Sequence, residues 1–177
     1  MSVLVLVMVV LYSQQAHSQP KNTAENGKEP VLETLRLYVQ LRLNDADWKD
    51  YSKYITWPDE PSWDCKWVVR EYKVGLARNE KEKVTVSVIY KRIGLFCYDF
   101  EFKANPDTAT VNYELVRVAS SWKVNAPVPD YPTISADVLL KSLQASAENV
   151  HESRERREQF NITARKIADT LSLTNSK

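Results

Sequence analysis

The sequence predicts an α+β fold: N-terminal helices packed on a strongly bent antiparallel meander, with a further helix at the C-terminus. Two long arms, Asp64 to Leu76 and Val84 to Cys97, are rich in β-branched and aromatic residues and flank a polar run, Arg78 to Lys83, with turn character. Two more strand-like stretches follow them. Apolar residues at helical spacing come before and after this block, which is the pattern of helices segregated from an antiparallel sheet.

The arms carry the chain's two cysteines, Cys65 and Cys97, equidistant from Lys81 in the middle of the polar turn. Folding about that turn sets the sulfurs opposite one another, at roughly 4.5–5.5 Å between facing Cα atoms, near the range a disulfide needs. Two buried free thiols are the alternative. The same register sets Glu71 opposite Lys91, as a cross-strand ion pair. Trp67 and Val69 share the face of Cys65, but farther along Tyr72, Val74 and Leu76 lie on the other face. The partner arm passes in the same way from Cys97, Leu95 and Ile93 to Tyr90, Val88 and Val86. These breaks, at Arg70-Glu71 and Lys91-Arg92, fall opposite each other, so a bulge there lets both ends bury their apolar side.

Taken in order, residues 1–18 read as a secretory signal. Val3 to Tyr12 is an apolar run too short to span a bilayer, and Ala16-His17-Ser18 offers a cleavage site, although the stretch has no Lys or Arg. A buried strand is the competing reading. Export would make the protein periplasmic or extracellular, with no stable membrane anchor after cleavage. Residues 19–29 form a polar lead-in, 30–144 the main domain and 145–177 a helical extension. The net charge of +1 argues against nucleic acid as a partner.

Pro30 suits the first turn of a helix that carries Leu32, Leu35, Val39 and Leu43. Asn44 or Asp45 can cap a second, with Trp48, Tyr51 and Ile55 on one face, ended by Pro58, Pro61 and Ser62. Asn105-Pro106-Asp107 reads as a turn that closes the second arm. A third strand spans Thr108 to Val118, Ala119-Ser120-Ser121 turns the chain, and Trp122 begins a fourth, so the meander is wholly antiparallel. Beyond Pro127, Pro129 and Pro132 a helix starts near Ser135 and presents Val138, Leu139 and Leu143. His151 to Glu158 is a mixed-charge, solvated stretch. Phe160, Ala164, Ile167 and Leu171 then form one helical face to bury, either on the domain itself or on a partner, a second copy of the chain included.

Catalytic signals are sparse. Without the first 18 residues, His151 is the sole histidine, so neither a histidine-dependent nucleophile nor a metal site has its ligands, and no cofactor motif is present. The glycines are single and scattered, at Gly27, Gly75 and Gly94, which excludes a Gly-rich phosphate loop. Asn161-Ile162-Thr163 matches a glycosylation acceptor. Acid–base chemistry needs only a desolvated carboxyl and a phenol donor, which makes Glu71 or Asp64 with Tyr72 or Tyr90 the candidates. Ordinary surface carboxylates are the competing reading. Trp57, Trp63 and Trp67 cluster at the helix–sheet junction, as core or as the lining of a ligand pocket.

Two helices followed by a bent meander resemble the NTF2-like superfamily of α+β cones, and within it the small secreted bacterial proteins of the DUF3828-like type. The residues that carry the resemblance are Trp63 to Val69, Ile93 to Cys97, and Tyr113 to Val118 leading to Trp122-Lys123-Val124. It covers roughly residues 31–143. The resemblance implies a cone whose concave face holds a small molecule. The expected function is therefore that of a secreted, non-catalytic domain that binds a small ligand or a protein. One rival is an acid–base enzyme of isomerase or dehydratase type. Another is an inhibitor or immunity-type protein acting through Phe160, Ile167 and Leu171, which requires that face to be exposed.

Overall fold

A computed structural model describes residues 29–60, 62–80 and 82–175. The expected signal segment, the lead-in up to residue 28 and Lys81 lie outside the described residues. Helix α1 (Glu29–Leu43) leads to a short α2 (Trp48–Tyr51) and a 3₁₀ turn, Ser52–Tyr54. Strands β1 (Cys65–Glu80), β2 (Lys83–Cys97), β3 (Phe102–Val118), β4 (Ser121–Ala126) and β5 (Thr133–Ser135) follow, then helices α3 (Ala136–Glu148) and α4 (Arg154–Asn175). The strands make one curled sheet in the order β4-β3-β2-β1-β5. This is the expected α+β class with a strongly bent sheet.

The hairpin has the expected register. Cys65 faces Cys97, the two are joined as a disulfide that clamps the open end of the hairpin, and Glu71 faces Lys91. The bend is also where the phase break places it. Val68 pairs with Gly94 but Val69 pairs with Arg92, and Glu71 then pairs with Lys91, so Ile93 and Arg70 are each left without a facing residue. The bend continues into β3, where Arg92 faces Asp107 and Gly94 faces Ala104. Asn105 and Pro106 together therefore oppose Ile93. Asn105-Pro106-Asp107 is not the expected turn; it lies inside β3, at a bulge that asks no ladder hydrogen bond of Pro106. The chain reverses earlier, at Tyr98–Phe100, where the Phe100 N–H reaches the Cys97 carbonyl at 2.9 Å and Phe100 takes φ 62°.

Three further expectations are corrected. The sheet is mixed, because β5 pairs in parallel with Trp67–Val69 of β1. A three-residue strand bounded by Pro132 and a helix cap is too short for periodicity to reveal. Leu76 does not join the buried face of β1: a second irregularity between Val74 and Ala77 turns Ala77 toward the core and leaves Leu76 90% exposed. Nor does Asn44 or Asp45 cap the second helix. Asp45, at φ 55°, ends α1 instead, with its N–H on the Arg42 carbonyl at 3.2 Å and the Ala46 N–H on that of Leu41 at 3.0 Å. That is a Schellman closure, using the tolerance of Asp for the left-handed region.

The two faces of the sheet carry separate cores. On one, Val31, Leu35, Tyr38, Val39 and Leu43 of α1 pack on Val69, Val84, Val86, Val88, Tyr90, Tyr113, Leu115 and Val124. α1 touches β4, β1 and β5, so it spans the hollow of the curled sheet from edge to edge. On the other face Val68, Ile93 and Phe102 pack on Ile134, Leu139, Leu143, Phe160 and Ile167. The apolar residues of β2 on the two sides of the bend therefore bury against opposite cores. Ser135 starts α3 as expected, its Oγ accepting from the Val138 N–H at 3.2 Å.

α4 closes on its own domain. Phe160 is 3% and Ile167 0% exposed, and half-buried Leu171 packs beside them. Thr163, buried on the same face, donates to the Phe100 carbonyl at 2.7 Å, so the hydroxyl of the Asn-Ile-Thr motif is already engaged. The C-terminal end of α4 meets Arg70 at the bend, whose guanidinium donates to the Thr174 carbonyl at 2.7 Å, a cation at the negative end of the helix.

Candidate functional site

The curl of the sheet leaves a cavity of about 210 Å³ on the α1 side, roofed by the proline-rich segment Pro127–Pro132. Its phenols and guanidinia come from three elements, β2, β3 and α1, apart from Tyr131 of the roof. Alternation along β2 puts Tyr90 and Arg92 on this face, β3 supplies Tyr113, and Tyr38 and Arg42, one helical turn apart, reach it from α1. Trp67, Val111 and Tyr131 add apolar wall.

Tyr38 is the hub of the aromatic packing, edge-on to Tyr51, Trp57 and Tyr113 with ring centroids 6.0–6.3 Å apart. It is 1% exposed, yet among the described residues no protein group is hydrogen-bonded to its hydroxyl, which faces the cavity. The hydroxyls of Tyr90 and Tyr113 lie 3.0 Å apart and share one hydrogen bond. Whichever of them donates, the pair keeps one proton free. Burial pushes the phenols of Tyr38, Tyr90 and Tyr113 above their ordinary range, so all three remain protonated donors at neutral pH.

Arg42 is 8% exposed and lies between this cavity and an adjoining polar cleft of about 450 Å³. Its Nη1 donates to Glu60 at 3.2 Å, and its guanidinium stacks 4.4 Å from the Tyr51 ring centroid. The Tyr51 hydroxyl donates to the same Glu60 oxygen. Burial, and then that bond to a carboxylate, hold Tyr51 protonated. Arg92 is matched differently: Asp107 accepts from two of its nitrogens, from Nε at 2.6 Å, while the guanidinium lies 3.9 Å over the Trp67 ring.

The structure separates the residues singled out in the sequence. Of the tryptophans, Trp67 lines the cavity. Trp63 lines the adjoining cleft and holds the roof by donating from Nε1 to the Pro129 carbonyl at 3.1 Å, and Trp57 packs into the α1 core. Glu71 is exposed and bound to Lys91, which draws its carboxyl below the usual range. Asp64 is exposed as well. Tyr72, half on the surface, stacks on Tyr90 from outside the cavity. Neither carboxylate is thus desolvated beside a phenol. Phe160, Ile167 and Leu171 are spent on the second core. His151 is exposed, and among the described residues no three His, Cys, Asp or Glu side chains gather as a metal site would require.

Sequence reasoning missed Tyr38, Arg42 and Tyr113. A signal existed for Arg42: it falls seven residues after Leu35 on the stripe that α1 buries, where a cation has no place unless a partner waits. Comparison with protein-family models, curated proteins and solved structures returns no match.

Proposed function

We propose that this chain is an extracytoplasmic, non-catalytic domain that binds a small molecule in the cavity beneath Pro127–Pro132. The observation that carries the reading is Tyr38: a residue 1% exposed that lines the cavity and whose hydroxyl has no protein partner among the described residues. Such a hydroxyl is open to the cavity space, and a ligand bound there with an acceptor would gain a hydrogen bond without breaking one inside the protein. Catalysis of the isomerase type is less well supported, because Asp107 is held by Arg92, and Asp130, the carboxylate on the cavity lining, is exposed. The α1-spanned, curled sheet supports the NTF2-like resemblance. The disulfide supports an oxidising compartment, as does the signal-like segment 1–18, and no described helix is long and apolar enough to cross a membrane.

The test is a small-molecule screen read as a shift in melting temperature, on the wild type and on Ala109→Trp. Ala109 lines the cavity, and a tryptophan there would fill it. Ligands that stabilise the wild type and not the filled variant support the reading, since binding to the native state raises Tm by mass action. A screen without hits, or hits that persist in Ala109→Trp, would overturn it.

A further inference from the structure

The cavity gathers hydrogen-bond donors that lack an acceptor. Arg42 donates to one carboxylate, Glu60, through Nη1, and its guanidinium lies 4.4 Å from the Tyr51 ring centroid and 5.2 Å from that of Trp63. The cation is 8% exposed whereas its counter-ion Glu60 is 39% exposed, so the charge is more deeply buried than its partner. Tyr38 offers a hydroxyl and the Tyr90–Tyr113 pair a spare proton to the same space. Arg92 adds no free charge, since Asp107 takes it, and Asp130 is an exposed carboxylate on the lining. Hydroxyl donors beside a buried guanidinium whose one carboxylate partner is the more exposed of the two suit an anionic acceptor with two oxygens.

Size narrows the choice. A dry cavity of about 150 Å³ takes benzene, and this one, at about 210 Å³, has room for one ring and a small substituent. Trp67, Val111 and Tyr131 give that ring an apolar wall. Resting on the cavity-binding reading above, we infer that the ligand is a single-ring aromatic carboxylate. Its carboxylate is held by Arg42 and Tyr38, and its ring lies against Trp67 and Val111.

Isothermal titration of the whole protein with three probes of matched size tests this: benzoate, its neutral isostere benzamide, and toluene. Benzoate is expected to bind at least tenfold tighter than benzamide. Tyr38→Phe is expected to weaken benzoate by about 10- to 100-fold, the loss of one hydrogen bond to a charge, with a smaller effect on benzamide. If benzamide or toluene binds as well as benzoate, the carboxylate inference fails while the cavity reading stands. If none of the three binds, or if Tyr38→Phe leaves benzoate affinity unchanged, the assignment of Arg42 and Tyr38 fails, and the wider screen with Ala109→Trp then decides whether the cavity binds anything.

Discussion

Replacing Tyr38 by Phe and, separately, Tyr90 by Phe removes the same atom from two buried rings on the same face of the sheet, and the structure predicts unequal outcomes for stability. In Tyr38→Phe the edge-on contacts with Tyr51, Trp57 and Tyr113 survive, and the lost hydroxyl had no hydrogen-bond partner among the described residues. The change should therefore fall within about 0.5 kcal/mol of zero, in either direction. In Tyr90→Phe the 3.0 Å bond to Tyr113 disappears and the hydroxyl of Tyr113, a residue 5% exposed, is stranded. That costs about 1–3 kcal/mol. Urea unfolding at neutral pH measures both, with equal m-values certifying that the native states remain comparable. The reasoning fails if Tyr38→Phe costs more than about 1.5 kcal/mol, for its hydroxyl would then be satisfied inside the protein.

Three other outcomes follow from the same geometry. Changing Cys65 and Cys97 together to Ser opens a loop spanning 32 residues of sequence separation; the chain-entropy relation gives a loss of about 3.7 kcal/mol, read by urea unfolding. A loss under about 1 kcal/mol would mean that the bond does not constrain the unfolded chain as that model holds. Phe160→Ala should cost about 3–5 kcal/mol by emptying the second core, whereas a tail helix kept free for a partner would lose almost nothing. Glu114 is held below its ordinary pKa, first by its bond to Lys83 and then by Asn125. Its contribution to stability is complete above the ordinary carboxylate value of 4.5 and is lost as pH falls through the lower folded value. NMR titration should find Glu114 low in the wild type and raised part of the way toward its ordinary value in Lys83→Met, with Asn125 still bound.

The hairpin was the most legible part of the sequence because its constraints are local and redundant. Two cysteines equidistant from a polar turn fixed the register, and the matched phase breaks near Arg70 and Lys91 fixed the bend. Misreadings arose where a distant element overrode a local signal. Asn-Pro-Asp has the composition of a turn, yet Pro106 lies in β3 because the bend in the neighbouring strands creates a bulge that a residue without an N–H can occupy. Leu76 fits an alternating strand but lies at a second bulge, which no pattern of side chains announces. The face of α4 was correctly read as one that must be buried, while its burying surface, assembled from β1, β2, β3 and α3, exists only once the chain is folded. The cavity was the least legible. Tyr38, Tyr90 and Tyr113 are far apart in sequence, and each alone is an ordinary core aromatic.

A crystal structure grown in the presence of benzoate puts the central claim to its most direct test. The account predicts a ring lying on Trp67 under the Pro127–Pro132 roof, with both carboxylate oxygens within hydrogen-bond reach of Arg42 and Tyr38. A roof collapsed onto Tyr113, with the Tyr38 hydroxyl bonded to a protein group and no space left between them, would contradict it.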